Sequence, residues 1–192
     1  MSKTKIFFTV TMFVLFLFAI PIFQSLLFSS SALKNSKIIV NKEVNADFLK
    51  NIDKENIVLF FGYVGCSDVC TPILEQLNNT FLSDEAKNLK DNTAVVFVNL
   101  IPQLDSEQPQ LFASYFNKDF IGVHLSKKDL YAIDRKFSLS YSDGIADKNE
   151  LSHSDFIYLL KRQNPTNMVL KNIYMTHPLN AKELIKDIEE LL

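Results

Sequence analysis

Long basic runs, internal repeats and low-complexity tracts are all absent from this 192-residue chain, and cysteine occurs only twice. Each absence excludes something. Without clustered Lys and Arg, and with a formal net charge of −2, the chain offers no phosphate-binding surface, so nucleic acid is not an expected partner. Without repeats, the length suits one domain of about 150 residues plus an appendage. Such a domain buries roughly two thirds of its unfolded surface and needs no disulfide staple. Two cysteines in such a chain point to chemistry rather than to a framework.

Charge is missing from one long stretch. Residues 6–23 contain no charged side chain, and the apolar character continues weakly to Phe28. That is enough to cross a hydrocarbon core of about 30 Å, whereas a cleavable signal peptide has an apolar stretch of roughly 7–15 residues. Residues 1–28 are therefore expected to be a short cytoplasmic stub and one N-terminal transmembrane helix. The Ser29-Ser30-Ser31-Ala32 tract keeps cleavage open as the alternative. Lys3 and Lys5 precede the span, which places the N-terminus in the cytoplasm and the rest on the outer, periplasmic side. No Arg precedes it, so there is no room for an Arg-rich mitochondrial transit sequence. The expected location is a bacterial plasma membrane, facing a compartment that permits disulfides. Residues 29–45 then read as a linker and 46–192 as the folded domain.

Within that domain, strand and helix patterns alternate. Residues 38–40 read as a short strand. Residues 57–63 form a continuous β-branched and aromatic run, as in a strand buried on both faces. Ile73, Leu74, Leu77, Phe81 and Leu82 recur at helical spacing, with Thr71 as the predicted cap and Pro72 at the first helical position. Further strands are predicted at 93–100, 120–123, 156–160 and 168–174. Helices are predicted from Ser106-Glu107 onward, at 127–137 and at 181–192, and a polar, irregular loop over 138–152. This alternation predicts an α/β layer fold with a partly parallel sheet. In such sheets, chemistry collects at strand carboxyl ends and the adjoining helix N-termini.

Cys66 and Cys70 lie at that kind of place. Four residues apart at a helix start, they would share a face with Cβ atoms roughly 5–6 Å apart. The spacing suits a metal between two thiolates or a reversible, somewhat strained disulfide. A helix N-terminus favours the thiolate, which is both nucleophile and soft metal ligand; two buried, inert cysteines are the plainer reading. The available imidazoles are His124, His153 and His177. Two thiolates and one imidazole suit Cu(I), which accepts three-coordination, better than structural zinc, which takes four ligands. His177 could be a fourth, but it follows the last strand, where a surface position is expected. Thioredoxin-type exchangers use Cys-x-x-Cys and usually a proline before the facing strand. Here the spacing is one residue longer and position 152 is Ser.

At these residues the sequence resembles the Sco/SenC family. Phe61-Gly62-Tyr63-Val64-Gly65-Cys66-Ser67-Asp68-Val69-Cys70 is similar to its Phe-Gly-Tyr-Thr-x-Cys-Pro-Asp-x-Cys-Pro signature, with Ser67 and Thr71 standing where the family has prolines. The segment from Phe97 to Ser106 resembles a strand and turn usually ending Asp-Pro-x-x-Asp-Thr; Pro102 and Asp105 match, and Ile101 replaces the first aspartate. Phe120-Ile121-Gly122-Val123 resembles the Phe-x-Gly-Leu strand, and Ser152-His153-Ser154 the Asp-His-Ser segment that supplies a histidine ligand.

The resemblance implies a thioredoxin-like three-layer fold with a central mixed sheet. It also implies a copper site of Cys66, Cys70 and His153, with Asp68 near it or capping the helix. The expected function is a membrane-anchored copper chaperone for the copper-site subunit of a haem-copper oxidase, its CuA centre. Cu(I) is the expected cargo, Cu(II) remains open, and a thioredoxin-like reductant is a possible second partner. Two other readings stand beside it: a thiol–disulfide oxidoreductase working through Cys66 and Cys70, and a redox or copper sensor.

Overall fold

Strands β2 (Asn56–Gly62) and β3 (Thr93–Asn99) are buried along their whole length and pair in parallel, from Asn56 opposite Thr93 to Gly62 opposite Asn99. They form the centre of the computed structural model, which describes residues 7, 8, 11–13, 16, 37–143, 151–175 and 177–192. Residues 1–36 and 37–192 form separate units. In the first, Phe7, Phe8, Met12, Phe13 and Phe16 are helical and exposed. Among the described residues no helix is long and apolar enough to cross a membrane. Most of the span expected over 1–28 lies outside the described residues.

The second unit is a six-stranded mixed sheet in the order β1-β8-β7-β2-β3-β4, joined by β1 (Lys37–Asn45), β4 (Ile121–His124), β7 (Ile157–Arg162) and β8 (Asn167–Tyr174). β4 runs parallel to β3, whereas β7, β8 and β1 pair antiparallel in succession. Because strand side chains alternate between faces, each central strand feeds two cores. Val58, Phe60, Val95, Phe97, Ile157 and Leu159 face one core. Helices α1 (Cys70–Leu82), α2 (Gln108–Phe116) and α4 (Ala181–Glu189) pack there. Ile57, Leu59, Phe61, Val96, Val98 and Tyr158 face the other, with Leu130, Ile133 and Phe137 of α3 (Lys127–Phe137). Helices on both faces of a mixed sheet make the α/β layer arrangement that the alternation predicts, in the three layers that the resemblance implies.

Three local expectations change. The strand predicted at 38–40 extends over residues assigned to the linker, up to Asn45, all of them in the sheet. On this edge only Val44 is buried, so the apolar signal was too thin to mark it. The predicted loop over 138–152 contains a two-stranded ribbon, β5 (Tyr141–Asp143) against β6 (Leu151–His153); residues 144–150 lie outside the described residues. Finally, α1 begins at Cys70, with Val69 rather than Thr71 at the capping position.

A partly buried ion pair fastens the first strand to the last helix. Lys37 Nζ lies 2.6 Å from Asp187 Oδ1, and the other carboxylate oxygen accepts from Tyr174 Oη at 2.6 Å and Asn172 Nδ2 at 3.0 Å. Asp187 is 6 % exposed, and these donors replace the water that burial removes.

Candidate metal centre

The site forms where β2 ends and α1 begins. The chain leaves the sheet at Gly62, turns through Gly65 at φ +90°, and returns to a helical path at Cys70. Cys66 therefore sits in the turn and only Cys70 is helical. The two thiols approach because the turn folds back, not because they share a helix face. Cys66 N–H donates to Tyr63 O at 3.3 Å. Cys66 O accepts from Thr71 Oγ1 at 3.0 Å and from Thr71 N–H at 3.3 Å. Val69 gives no side-chain cap to α1. The Cys66 sulfur takes that place, accepting Cys70 N–H at 3.3 Å, so a soft anion meets the unsatisfied donors of a helix start.

His153 arrives from the other side. It ends β6 opposite Tyr141, and Ser154 N–H pins the ribbon to Ser140 O at 2.8 Å. The imidazole Nδ1 lies 2.9 Å from Ser154 O, an acceptor only, so Nδ1 carries the hydrogen and Nε2 is left with its lone pair. Nε2 points to the sulfurs, 3.6 Å from Cys70 Sγ. Tyr63 and Phe60 hold the ring edge-on, with centroids 5.8 and 6.3 Å away. The donor atoms of Cys66, Cys70 and His153 all lie within 4.8 Å of one another, and among the described residues no other such group occurs.

The two thiols are electrostatically unlike. A hydrogen bond from Cys70 pulls Cys66 far below the ordinary thiol range; burial opposes this, and His153 with the N–H groups of Cys70 and Val69 reinforces it. The same bond, burial and the negative Cys66 push Cys70 upward. Burial works against a charged His153, but the Cys66 sulfur and the Ser154 carbonyl outweigh it and raise its pKa. Tyr63 is pushed up to about 12 by burial and by Cys66 beside it. In the metal-free, reduced protein, iodoacetamide should therefore label Cys66 before Cys70, at a rate nearly flat from about pH 6 to 8. An ordinary thiol would speed up roughly tenfold per unit below its pKa. Mass spectrometry of quenched samples reads this directly, and Cys70 labelled first would contradict the assignment.

The other expected participants lie elsewhere. His177 Nε2 contacts Asp155 O at 2.8 Å and Asp155 Oδ2 at 3.2 Å. His124 ends β4, half-buried, outside the thiol group. Asp68 is exposed, accepts from Ser67 Oγ at 2.8 Å and does not cap α1. Together with Asp155, His177 and Pro72 it lines a groove of about 470 Å³ beside the centre. Two contributors went unread in the sequence. Gly62 admits Cys70, since a Cβ there would lie 2.6 Å from Cys70 Sγ. Asn99, wholly buried at the end of β3, binds the turn that carries Cys66.

The donor set fits copper. Two sulfurs and one imidazole nitrogen are soft ligands already gathered, and the proton on Nδ1 leaves Nε2 free to coordinate.

Comparison with known proteins agrees with this geometry. The mitochondrial SCO1 homolog of Mus musculus is 21 % identical over 108 residues, which are 54 % of this chain and 38 % of that protein. The chain spans roughly half the length, or less, of the curated relatives it matches. The apo Sco1 structure from Thermus thermophilus superposes with a TM-score of 0.65 at 19 % identity, covering 82 % of this chain and 96 % of that one. Copper-bound ScoI of Arabidopsis thaliana gives 0.61 at 22 %, covering 73 % and 88 %. BsSco gives 0.54 at 15 %, covering 79 % and 96 %; it is described as having a disulfide switch and as a member of the Sco family of cytochrome c oxidase assembly proteins. These likenesses establish the thioredoxin-like fold. The SCO1/SenC family model matches residues 42–192, which hold the thiol turn, the histidine ribbon and nearly all of the sheet between them, and on that match the chain belongs to the SCO1/SenC family.

Proposed function

We propose that this protein carries copper outside a bacterial plasma membrane and delivers it to the CuA-site subunit of a haem-copper oxidase by exchange of thiolate ligands. The observation that carries this reading is the convergence of Cys66, Cys70 and His153 within 4.8 Å, with Nε2 free to coordinate. The reduced pair and His153 hold one ion, and the client's thiolates displace them in turn. Joining Cys66 to Cys70 as a disulfide removes both thiolates, so the carrier works only when reduced, and a thioredoxin-like reductant would keep it so. Copper in the Arabidopsis ScoI structure and the oxidase-assembly role ascribed to BsSco support the cargo and the client class. The charge-free run over 6–23 supports a single-pass anchor with the domain on the periplasmic side.

One observation favours a second reading. A lowered Cys66 beside a raised Cys70 is the asymmetry of an attacking and a resolving thiol, as in a thiol–disulfide oxidoreductase acting on the client's own cysteines. His153→Ala separates the two. A copper carrier loses at least about tenfold in Cu(I) affinity, ~1.4 kcal/mol, and no longer metallates an apo CuA domain. A dithiol reductant keeps most of its activity on an oxidised CuA domain. Copper binding that ignores His153, or no tight site in the wild type, would sink the carrier reading.

A further inference from the structure

Asn99 is a fully buried polar residue at the end of β3. Its carboxamide spans two segments. Oδ1 accepts Val64 N–H at 3.3 Å, and Nδ2 donates to Ile101 O at 2.6 Å. Leu100 N–H donates to Gly62 O at 2.7 Å, which continues the β2–β3 ladder up to the point where the turn departs. Val64 lies between Tyr63, whose ring packs on His153, and Gly65, whose φ of +90° reverses the chain before Cys66. The turn around Gly65 is open, with nothing within 4 Å of where a Cβ would stand.

We infer that Asn99 is a positioning residue: by holding Val64 to the end of β3, it sets how closely Cys66 and Tyr63 meet Cys70 and His153. The task calls for an acceptor and a donor at once, at a fixed reach. Asparagine supplies both. Aspartate keeps the acceptor for Val64 but turns a second oxygen against the Ile101 carbonyl. Leucine has nearly the same shape and supplies neither. Losing either bond also leaves a partly buried backbone group without its partner.

The inference rests on the copper-carrying reading only for its first readout, Cu(I) affinity by chelator competition on the full chain. The second readout needs no metal: the equilibrium of the Cys66–Cys70 disulfide against a glutathione buffer. With folding checked by circular dichroism and thermal melting, Asn99→Leu is expected to weaken Cu(I) at least tenfold and to shift the disulfide equilibrium at least threefold. Asn99→Asp should fall between it and the wild type in both. If Asn99→Leu does not fold, Asn99→Asp decides alone, with a threefold or larger change expected. Folded variants that match the wild type in both readouts overturn the inference. A wild type that holds no copper counts against the carrier reading instead, and the disulfide equilibrium still judges Asn99.

Discussion

Exchanging one sulfur for oxygen, in Cys66→Ser or Cys70→Ser, is expected to lower Cu(I) affinity on the order of a thousandfold, about 4 kcal/mol. The geometry explains why both positions should count. The donors form one group within 4.8 Å, so removing either sulfur leaves one thiolate and the imidazole. A serine hydroxyl is hard and stays protonated at neutral pH, whereas Cu(I) selects soft, deprotonated sulfur. The pH dependence has a definite sign. Cys70 is held in its protonated form by its surroundings and must lose that proton to bind, and the upward shift of His153 acts in the same direction, since only the imidazole with a free Nε2 coordinates. Affinity should therefore rise with pH between about 6 and 8, by up to roughly tenfold per unit for each proton released. Chelator competition across that range checks it, and a flat profile would contradict the donor assignment.

Gly62→Ala should damage the centre without touching a ligand. The new Cβ would stand 2.6 Å from Cys70 Sγ and 3.1 Å from the rings of Phe60 and Phe97. None of these neighbours is a flexible chain end. Phe60 and Phe97 are wholly buried and pack on each other with centroids 6.3 Å apart, and Cys70 is fixed as the first residue of α1. Overpacking of this kind costs about 1–3 kcal/mol, and a domain of this size melts roughly 2–4 °C lower per kcal/mol. The larger expected effect is on Cu(I), since Cys70 must be pushed from the point where it meets Nε2. A Gly62→Ala protein with wild-type melting and wild-type copper affinity would show that α1 can slide to make room.

Much of this was legible because it rests on repeated burial. The runs at 57–63 and 93–100 became β2 and β3, shifted by a residue at most at each end, since strands covered on both faces must be apolar throughout. The helices at 127–137 and after 181 likewise follow from one apolar stripe each. What lacked such repetition was missed. β1 is exposed along most of its length, and the β5–β6 ribbon is short and polar, so neither leaves a periodic trace. The start of α1 was misplaced because its cap is a thiol four residues upstream, outside the usual vocabulary of Ser, Thr, Asp and Asn. The cysteines announced themselves by scarcity. His153 did not: one histidine of three, it stood out only through a resemblance, because the pairing of β5 with β6, and not local spacing, brings it to the sulfurs. Asn99 and Gly62 fell within segments that carry the resemblance, but nothing there marked their roles, which lie in a carboxamide's reach and in a missing methyl.

The clamp between Lys37 and Asp187 has a mechanical meaning. Lys37 is the first residue of the sheet and stands opposite Tyr174, so a force applied at Lys37 loads that corner first. The force is shared at once with α4 through Asp187 and with β8 through Tyr174 and Asn172. β8 and β7 lie between β1 and β2, which leads into the thiol turn. A tug at that corner is thus grounded two strands away from Cys66 and Cys70, leaving a soft three-donor nest undisturbed at the far side of a taut edge.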